Sequence, residues 1–341
     1  MKKYFRNSTK IALVLVYLVI VAGATVRMTG SGMGCPDWPK CFGYLIPPTE
    51  HSQLEWHPHK LYKKGQVIIV NETLQVAKTD FASQENFDNT NWEKYTKHDY
   101  AKFNPYHTWT EFINRLIGAL AGIAVLIMAI FSFSMYKEHK VIPILSWLTV
   151  IAMGFQAWLG ATVVYSVLLP VKITLHMVVA LLIVAMILYI LHVTRKNNIT
   201  SFKFDRSFTW LLILAALCTV IQIVLGTQVR QFVDEQIKTA GEHAKNMWLA
   251  VPNIPFYIHR SFSILVLLVN ILLFMRNKKR ALGYFRMNWV VTLIIIEIFT
   301  GILMYYVNFP FGSQLAHMLI ASILFGIQFY LILDTRKAAK S

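Results

Sequence analysis

Charged residues are scarce in this sequence: Asp, Glu, Lys and Arg make up 15% of its 341 residues, whereas 56% are hydrophobic. A soluble fold of this length would mix the two kinds, but here the apolar residues form long blocks separated by short polar links. Acidic residues are scarcer than basic ones, and the net charge is +16. Because the basic residues cluster in the links, the excess indicates membrane orientation rather than a nucleic-acid surface.

The first apolar run lacks a cleavage site of the kind that ends a signal peptide. It follows Lys2, Lys3, Arg6 and Lys10 and continues to Val26 without an A-x-A-like pattern. We therefore predict that this run is kept as the first membrane span.

We predict an all-α integral membrane protein with eight spans, since each span needs about 20 apolar residues. The approximate limits are 9–28, 110–135, 141–165, 170–193, 208–230, 254–275, 287–307 and 312–334. Both termini and the links 136–140, 194–207 and 276–286 are basic, whereas loop 29–109 is not strongly so. The positive-inside rule therefore places both termini in the cytoplasm and loop 29–109 outside a cytoplasmic membrane.

The spans carry the same landmarks twice in the same order. Span one ends in Gly23–Arg27 (GATVR), and span five ends in Gly226–Arg230 (GTQVR). Span two opens with Asn114-Arg115, and span six opens with His259-Arg260. A glycine stands 16 residues before a histidine in each half, Gly160 before His176 and Gly301 before His317. We therefore predict two tandem, pseudo-symmetric four-helix halves, 9–193 and 208–334, related by an axis along the membrane normal.

The second and fourth helices of each half bring polar residues to a similar depth near the outer face. In the second half these are His259 and His317, a pair that suits the axial positions of haem iron. Zinc would need about four ligands, and no cysteine or third histidine lies near. The first half has His176 and Asn114, and a haem held by one histidine would keep an open face for a substrate. A lone membrane histidine is as readily a hydrogen-bonded structural residue, so the repetition carries this interpretation.

Glu111 and several arginines surround these positions. Glu111 lies one turn before Asn114 and is a candidate for proton transfer or for stabilising a cation. The alternative is an ion pair with Arg115 at i+4. The arginines near the outer boundary are Arg27, Arg115, Arg230 and Arg260. Their guanidinium groups match haem propionates, although at the span ends they also suit lipid headgroups.

The sequence has only three cysteines. Cys35 and Cys41 lie in the first outside loop, where a disulfide can form, and such a pair is either structural or able to pass reducing equivalents. Cys218 lies within an apolar run and is interpreted as a packing residue. The rest of the loop, 44–109, predicts a small polar excursion outside the membrane.

The stretch from Gly23 to Cys41, GATVRMTGSGMGCPDWPKC, resembles the first span and cysteine loop of the haem A synthases. Glu111-x-x-Asn114-Arg115 stands where that family has Glu-x-x-His-Arg, and His176, His259-Arg260 and His317 fall where its other three histidines fall. The resemblance covers nearly the whole chain, apart from the long first loop.

The resemblance implies a membrane oxidoreductase that converts the C8 methyl of haem O to a formyl group by successive hydroxylations ending in loss of water. It places substrate haem O in the N-terminal half with catalytic Glu111 and with His176, Asn114, Arg115 and Arg27, and it places haem b in the C-terminal half between His259 and His317, with Arg230 and Arg260 at the propionates. Asn114 departs from the family's histidine. The alternatives are a labile sixth position, a ligand from elsewhere such as His107, or a chain without the activity.

The resemblance also implies haem O and membrane lipid as partners and no nucleic acid. The farnesyltransferase that makes haem O and a quinol or thiol electron donor are candidate partners, and a homo-oligomer is compatible with the sequence. Two other classes of protein remain open. A membrane cytochrome b that only carries electrons would leave Glu111 and the missing histidine unexplained. A transporter would share the duplicated halves, but Pro170 and Pro310 lie at helix starts rather than in mid-membrane.

Overall fold

The computed structural model describes residues 2–98, 101–195 and 202–340 of the chain. The predicted helical membrane fold is confirmed, since within these residues eight helices are long and apolar enough to cross a membrane. Their bounds are α1 Lys2–Met28, α2 Pro105–Ser132, α3 Val141–Tyr165, α4 Pro170–Val193, α5 Arg206–Ala240, α6 Ile254–Lys279, α7 Arg286–Tyr306 and α8 Ser313–Ala338. The chain is a multi-pass membrane protein.

Helix α5 differs most from its predicted span. It continues to Ala240, whereas the apolar run ends at Arg230. Beyond that point Val233 is buried against Trp248 and Phe309, which gives the extension its own packing. A helix satisfies its backbone hydrogen bonds internally, so it does not have to stop where the apolar layer stops. Part of the predicted basic link 194–207, residues 196–201, lies outside the described residues.

Side-chain caps set the starts of α2 and α6, two of the four helices that carry the polar landmarks. The Asn104 side chain accepts a hydrogen bond from the backbone N–H of Tyr106 at 3.0 Å, and Pro105 occupies the first turn of α2. Asn253 caps α6 in the same way, through the N–H of Phe256. Such caps stabilise a helix start, so they fix the depth of the residues one to three turns further on.

The helices pack in two sets that follow the chain. Helix α1 contacts α2 and α4, and α3 contacts the same two helices; α5 and α7 each contact α6 and α8 in the same manner. The first set buries Phe5, Val125 and Ile187, and the second buries Phe208 and Met287. These cores lie toward the end of the molecule that carries the chain termini, here called the termini end. The opposite end, where α1 ends and α2 begins, is called the loop end and holds the polar landmarks.

Ion pairs join the two sets at both ends of their interface. At the loop end, Arg27 of α1 lies 2.9 Å from the Asp234 carboxylate of α5. At the termini end, the Asp334 carboxylate of α8 is 2% exposed and lies 3.1 Å from His192 of α4 and 3.0 Å from Arg286 of α7. A buried carboxylate requires such partners, so these contacts fix how the two sets sit against each other.

The segment between α1 and α2 forms a small β-structure, where the sequence predicted only a polar excursion. The strand bounds are β1 Leu61–Tyr62, β2 Val67–Val70, β3 Thr73–Ala77, β4 Phe81–Ala82 and β5 Trp92–Lys94. Strands β2, β3 and β5 form one antiparallel sheet, and β1 pairs with β4. Trp92 is 3% exposed and packs its ring against Tyr62 and Phe81, so an aromatic cluster holds the strands together.

Candidate functional site

Each predicted landmark at the loop end faces a glycine of the preceding helix. A Cβ added to the glycine would lie 4.0 Å from Asn114 Oδ1 at Gly23, 3.5 Å from His176 Cε1 at Gly160, 3.2 Å from His259 Cε1 at Gly226 and 3.8 Å from His317 Cε1 at Gly301. Glycine therefore leaves room for the imidazole, or for the Asn114 amide, at the same place in every helix pair. The structure gives these predicted residues equivalent surroundings.

In the second set of helices, His259 and His317 face each other. Their ring centroids are 6.3 Å apart with an angle of 65° between the rings. Both rings line a cavity of about 310 Å³ that opens between α5, α6, α7 and α8. With a metal–nitrogen bond of about 2 Å, two imidazoles on opposite sides of one iron have centroids roughly 6 Å apart. The spacing therefore fits an iron bound between the two rings.

The number of ligands also favours haem over a bare metal ion. Within residues 2–98, 101–195 and 202–340, no group of three or more His, Cys, Asp or Glu side chains is placed to hold a metal ion. A pair of histidines on facing helices suits a metal whose remaining ligands come from a porphyrin.

Arginines from both sets line the same cavity. Arg230 of α5 lies 2.8 Å from Asp234 and donates to the backbone carbonyl of Arg27 at 2.6 Å. Nη1 of Arg27 is buried and has no hydrogen-bond partner among the described residues. An unpartnered guanidinium N–H at the cavity wall fits a carboxylate such as a haem propionate. Arg27 was predicted at the substrate site in the first half, but the structure places it in the lining of this second-half cavity.

Arg260 lines the cavity in a different manner. Its side chain is exposed and lies over the rings of Tyr257, at 5.5 Å, and Phe256, at 6.0 Å. These rings orient the guanidinium at the rim of the cavity, where it remains able to bind an anion.

In the first set, His176 has no histidine opposite it at the landmark position. Asn114 occupies that place, and the Nδ1 atom of His176 is buried without a partner in the part of the chain that the structure describes. His107, considered as a replacement ligand, lies seven residues before Asn114 on α2. At a rise of about 1.5 Å per residue this separates the two along the helix axis by roughly 10 Å. The helix therefore sets His107 well away from the depth of the other landmarks.

Glu111 connects α2 to the cysteine loop. Its carboxylate is 3% exposed, accepts a hydrogen bond from the N–H of Cys35 at 2.8 Å, and forms an ion pair with Arg115. Arg115 also donates to the backbone carbonyls of Asp37, at 2.7 Å, and Lys40, at 2.9 Å. The i+4 ion pair, which was the alternative interpretation of Glu111, is thus present, and both side chains hold the loop against the head of α2.

The loop itself is closed by a disulfide between Cys35 and Cys41. Inside it, the Asp37 carboxylate accepts hydrogen bonds from the N–H groups of Phe42 and Gly43. Burial raises the pKa of Asp37 above its usual value, while these two N–H groups and the nearby Arg115 partly oppose the rise. The loop is therefore folded around its own buried carboxylate, with Arg115 as the neighbouring positive charge.

Three polar residues of the site were missed in the sequence. They are Gln156 of α3, Gln222 of α5 and Glu297 of α7, and each contacts the histidine of the next helix. The signal was available, because each stands four residues before the glycine that faces that histidine. In α1 the same position is Val19, so the helix pair that has Asn114 in place of the facing histidine also lacks the polar residue.

Comparisons with known proteins show which proteins this chain resembles. A family model described as COX15-CtaA, cytochrome oxidase assembly protein, matches residues 7–82 and 78–329. The chain is 25% identical to the protein named Heme A synthase from Shewanella oneidensis, over 64% of this chain and 54% of that protein. It is 23% identical to Heme A synthase of Flavobacterium johnsoniae over 93% of each chain. It is also 23% identical to that of Bacillus cereus (strain AH187), over 93% of this chain and 88% of that protein.

Proposed function

This chain belongs to the COX15-CtaA family of cytochrome oxidase assembly proteins, and on that premise we propose that it is a haem A synthase. The proposed enzyme is an oxidoreductase whose substrate is haem O, held in the membrane. Two hydroxylations of the C8 methyl, each a two-electron oxidation that takes an oxygen atom and requires an external oxidant, give a geminal diol, which loses water to leave the formyl group of haem A.

The observation that carries this proposal is the difference between two otherwise matching sites. His259 and His317 face each other at 6.3 Å between ring centroids, whereas in the first half the position equivalent to His259 holds Asn114 and His176 is the histidine at the other position. A protein that only carries electrons would gain nothing from an asymmetric pair. A site with one histidine leaves a face of the porphyrin open, which suits a substrate that must enter, react and leave.

The second half holds haem b in this proposal. His259 and His317 would be its axial ligands, and Arg230 and Arg260 would bind its propionates together with the neighbouring Arg27. When bound there, haem b supplies a one-electron carrier beside the substrate site. The glycines that face the two histidines leave room for the rings, since an added Cβ would lie 3.2 Å from His259 and 3.8 Å from His317.

The first half holds the substrate. His176 would bind the iron of haem O, and Asn114 would line its other face without ligating strongly. Glu111 lies one turn before Asn114 on α2, so a proton gained or released at its carboxylate lies close to the open face. Arg115 keeps that carboxylate in place and joins it to the cysteine loop.

We further propose that the halves are 9–193 and 208–334 and that the loop 29–109 lies outside the cytoplasmic membrane, with both termini in the cytoplasm. The two helix sets support the division, and the basic links support the orientation. The farnesyltransferase that makes haem O would supply the substrate, and a quinol or a thiol would exchange electrons with the enzyme.

The proposal is tested by analysing the haems that the full chain produces. The chain is expressed in a host that makes haem O but lacks haem A, purified, and its haems are extracted for chromatography and mass spectrometry. Haem A or its hydroxymethyl precursor is the expected product. Haem b alone, with haem O unchanged, would contradict the enzyme and favour a membrane cytochrome b.

Glu111→Gln tests the catalytic role of the carboxylate. The amide keeps the size of the side chain but cannot take up a proton, so we expect loss of product with haem b retained. The matched control is Glu93→Gln, the same change at an exposed position of β5. The rate at which the cysteines are alkylated after mild reduction measures how tightly the cysteine loop is held. Product loss accompanied by a loosened loop would make Glu111 a structural residue, and unchanged product would exclude the catalytic role.

A further inference from the structure

Glu297 of α7 touches the ring of a candidate haem ligand, and we infer that it is a positioning residue for His317 that also lowers the reduction potential of haem b. The inference rests on the proposed function, because it assumes that haem b lies between His259 and His317. It concerns a residue that the reaction at the substrate site does not require.

The contact is made through one nitrogen of the ring. Oε2 of Glu297 lies 2.9 Å from Nδ1 of His317, and the hydroxyl of Thr300 lies 2.8 Å from the same nitrogen. The Thr300 hydroxyl donates to the backbone carbonyl of Glu297, so its free lone pair and the carboxylate both face the ring N–H. With Nδ1 held in this way, Nε2 is the ring nitrogen left to bind iron.

The chain itself provides a comparison at the two related positions. The amide of Gln156 donates to the backbone carbonyl of His176 at 2.7 Å, and that of Gln222 donates to the backbone carbonyl of His259 at 3.0 Å. A carboxylate has no N–H to donate, so Glu297 cannot make this contact. It accepts a hydrogen bond from the ring instead. The Gln222 amide also lies 3.5 Å from Nε2 of His259, whereas Glu297 contacts Nδ1 of His317. Replacing an amide by a carboxylate thus exchanges a bond to the backbone of the ligand for a charged contact with Nδ1 of its imidazole.

The two candidate ligands therefore differ electronically. Nδ1 of His259 is buried without a partner among the described residues, whereas Nδ1 of His317 faces a carboxylate whose second oxygen, Oε1, is also unpartnered there. A carboxylate bonded to a ligating histidine makes that ligand more basic. A negative charge in an apolar site also favours the more positive, oxidised iron, so the reduction potential falls.

The test uses the full chain in a host without haem O, so that haem b is the group that binds. Haem content, the midpoint potential from a spectroelectrochemical titration, and the low-temperature EPR spectrum are measured for the wild type and Glu297→Gln. We expect the Gln variant to keep haem b with a more positive potential and an altered EPR spectrum, since its amide would bind the backbone as Gln222 does. The matched control, Glu235→Gln, removes an exposed carboxylate of α5 and should leave the potential unchanged.

Each outcome decides the inference. An unchanged potential in Glu297→Gln with haem b retained would overturn it while leaving the proposed function intact. If the Gln variant binds no haem, Glu297→Asp is titrated in its place. The shorter carboxylate keeps its charge further from Nδ1, so a smaller positive shift supports the inference and no shift overturns it. Absence of haem from the wild type would overturn both proposals.

Discussion

At the positions that face a glycine of the preceding helix, the second half of the molecule has a histidine on each of its even-numbered helices, His259 and His317, whereas the first half has His176 and Asn114. Both halves keep the glycine that faces each of these residues, with distances of 3.2 to 4.0 Å from an added Cβ. They differ in the polar residue four positions earlier, which is present wherever a histidine follows and is Val19 where Asn114 follows. The glycines are therefore the same in all four helix pairs, whereas the candidate ligand and the polar residue before the glycine both differ in the pair of α1 and α2.

The difference between the halves is tested most strongly by removing the ligands one at a time. We expect His317→Ala and His259→Ala to lose nearly all bound haem b, because each removes an axial ligand. His176→Ala should keep haem b and lose haem O and product. Extracted haems measure all three variants, with His139→Ala, an exposed histidine between α2 and α3, as the control. Equal loss of haem b from His176→Ala would show that the halves are not separate sites.

Making the first half resemble the second should have a moderate effect. In Asn114→His the new imidazole faces Gly23 and stands opposite His176, so we expect more haem O to stay bound through purification. A second low-spin haem should appear in the EPR spectrum. Adding Val19→Gln restores the polar residue found in the other helix pairs and should strengthen both effects. An unchanged EPR spectrum in the double variant would show that the pair of α1 and α2 differs from the other helix pairs in more than these two residues.

Replacing the glycines by alanine should have the smallest effects on bound haem. A Cβ at Gly226 would lie 3.2 Å from His259, so Gly226→Ala must displace the ring; overpacking of this kind typically costs about 1–3 kcal/mol. We expect reduced haem b content. Gly160→Ala places its Cβ at an ordinary 3.5 Å from His176 and should be milder. Gly118→Ala, whose Cβ would meet nothing within 4 Å, is the control. A larger loss in Gly160→Ala than in Gly226→Ala would contradict the geometry.

The membrane helices were predictable because hydropathy and length determine whether a segment can cross a membrane. The prediction failed at the end of α5, since a helix that continues into water leaves no hydropathy signal. The strands between α1 and α2 were missed as well. Val67–Val70 and Thr73–Ala77 are rich in β-branched residues on either side of Asn71 and Glu72, so a hairpin pattern was present in the sequence.

The candidate site was only partly predictable. Repetition along the chain brought out Asn114 and the histidines, because equivalent helices place equivalent residues at one depth. Repetition does not say which half a residue at the interface faces. The sequence therefore did not predict that Arg27 lines the cavity of the other half. The bond from the Cys35 N–H to Glu111 joins positions far apart in the chain, so only the folded structure reveals it.

The ion pairs at the two ends of the interface have a mechanical consequence. The contacts of Arg27 with Asp234 and of His192 with Asp334 lie at opposite ends of the interface between the two helix sets. Alternating access requires one half to rock against the other. Such a rotation, in either direction, would stretch the contact at one end of the interface. These contacts therefore oppose a change in the distance between the two candidate sites, and a constant distance suits the electron transfer between them that the proposed function requires.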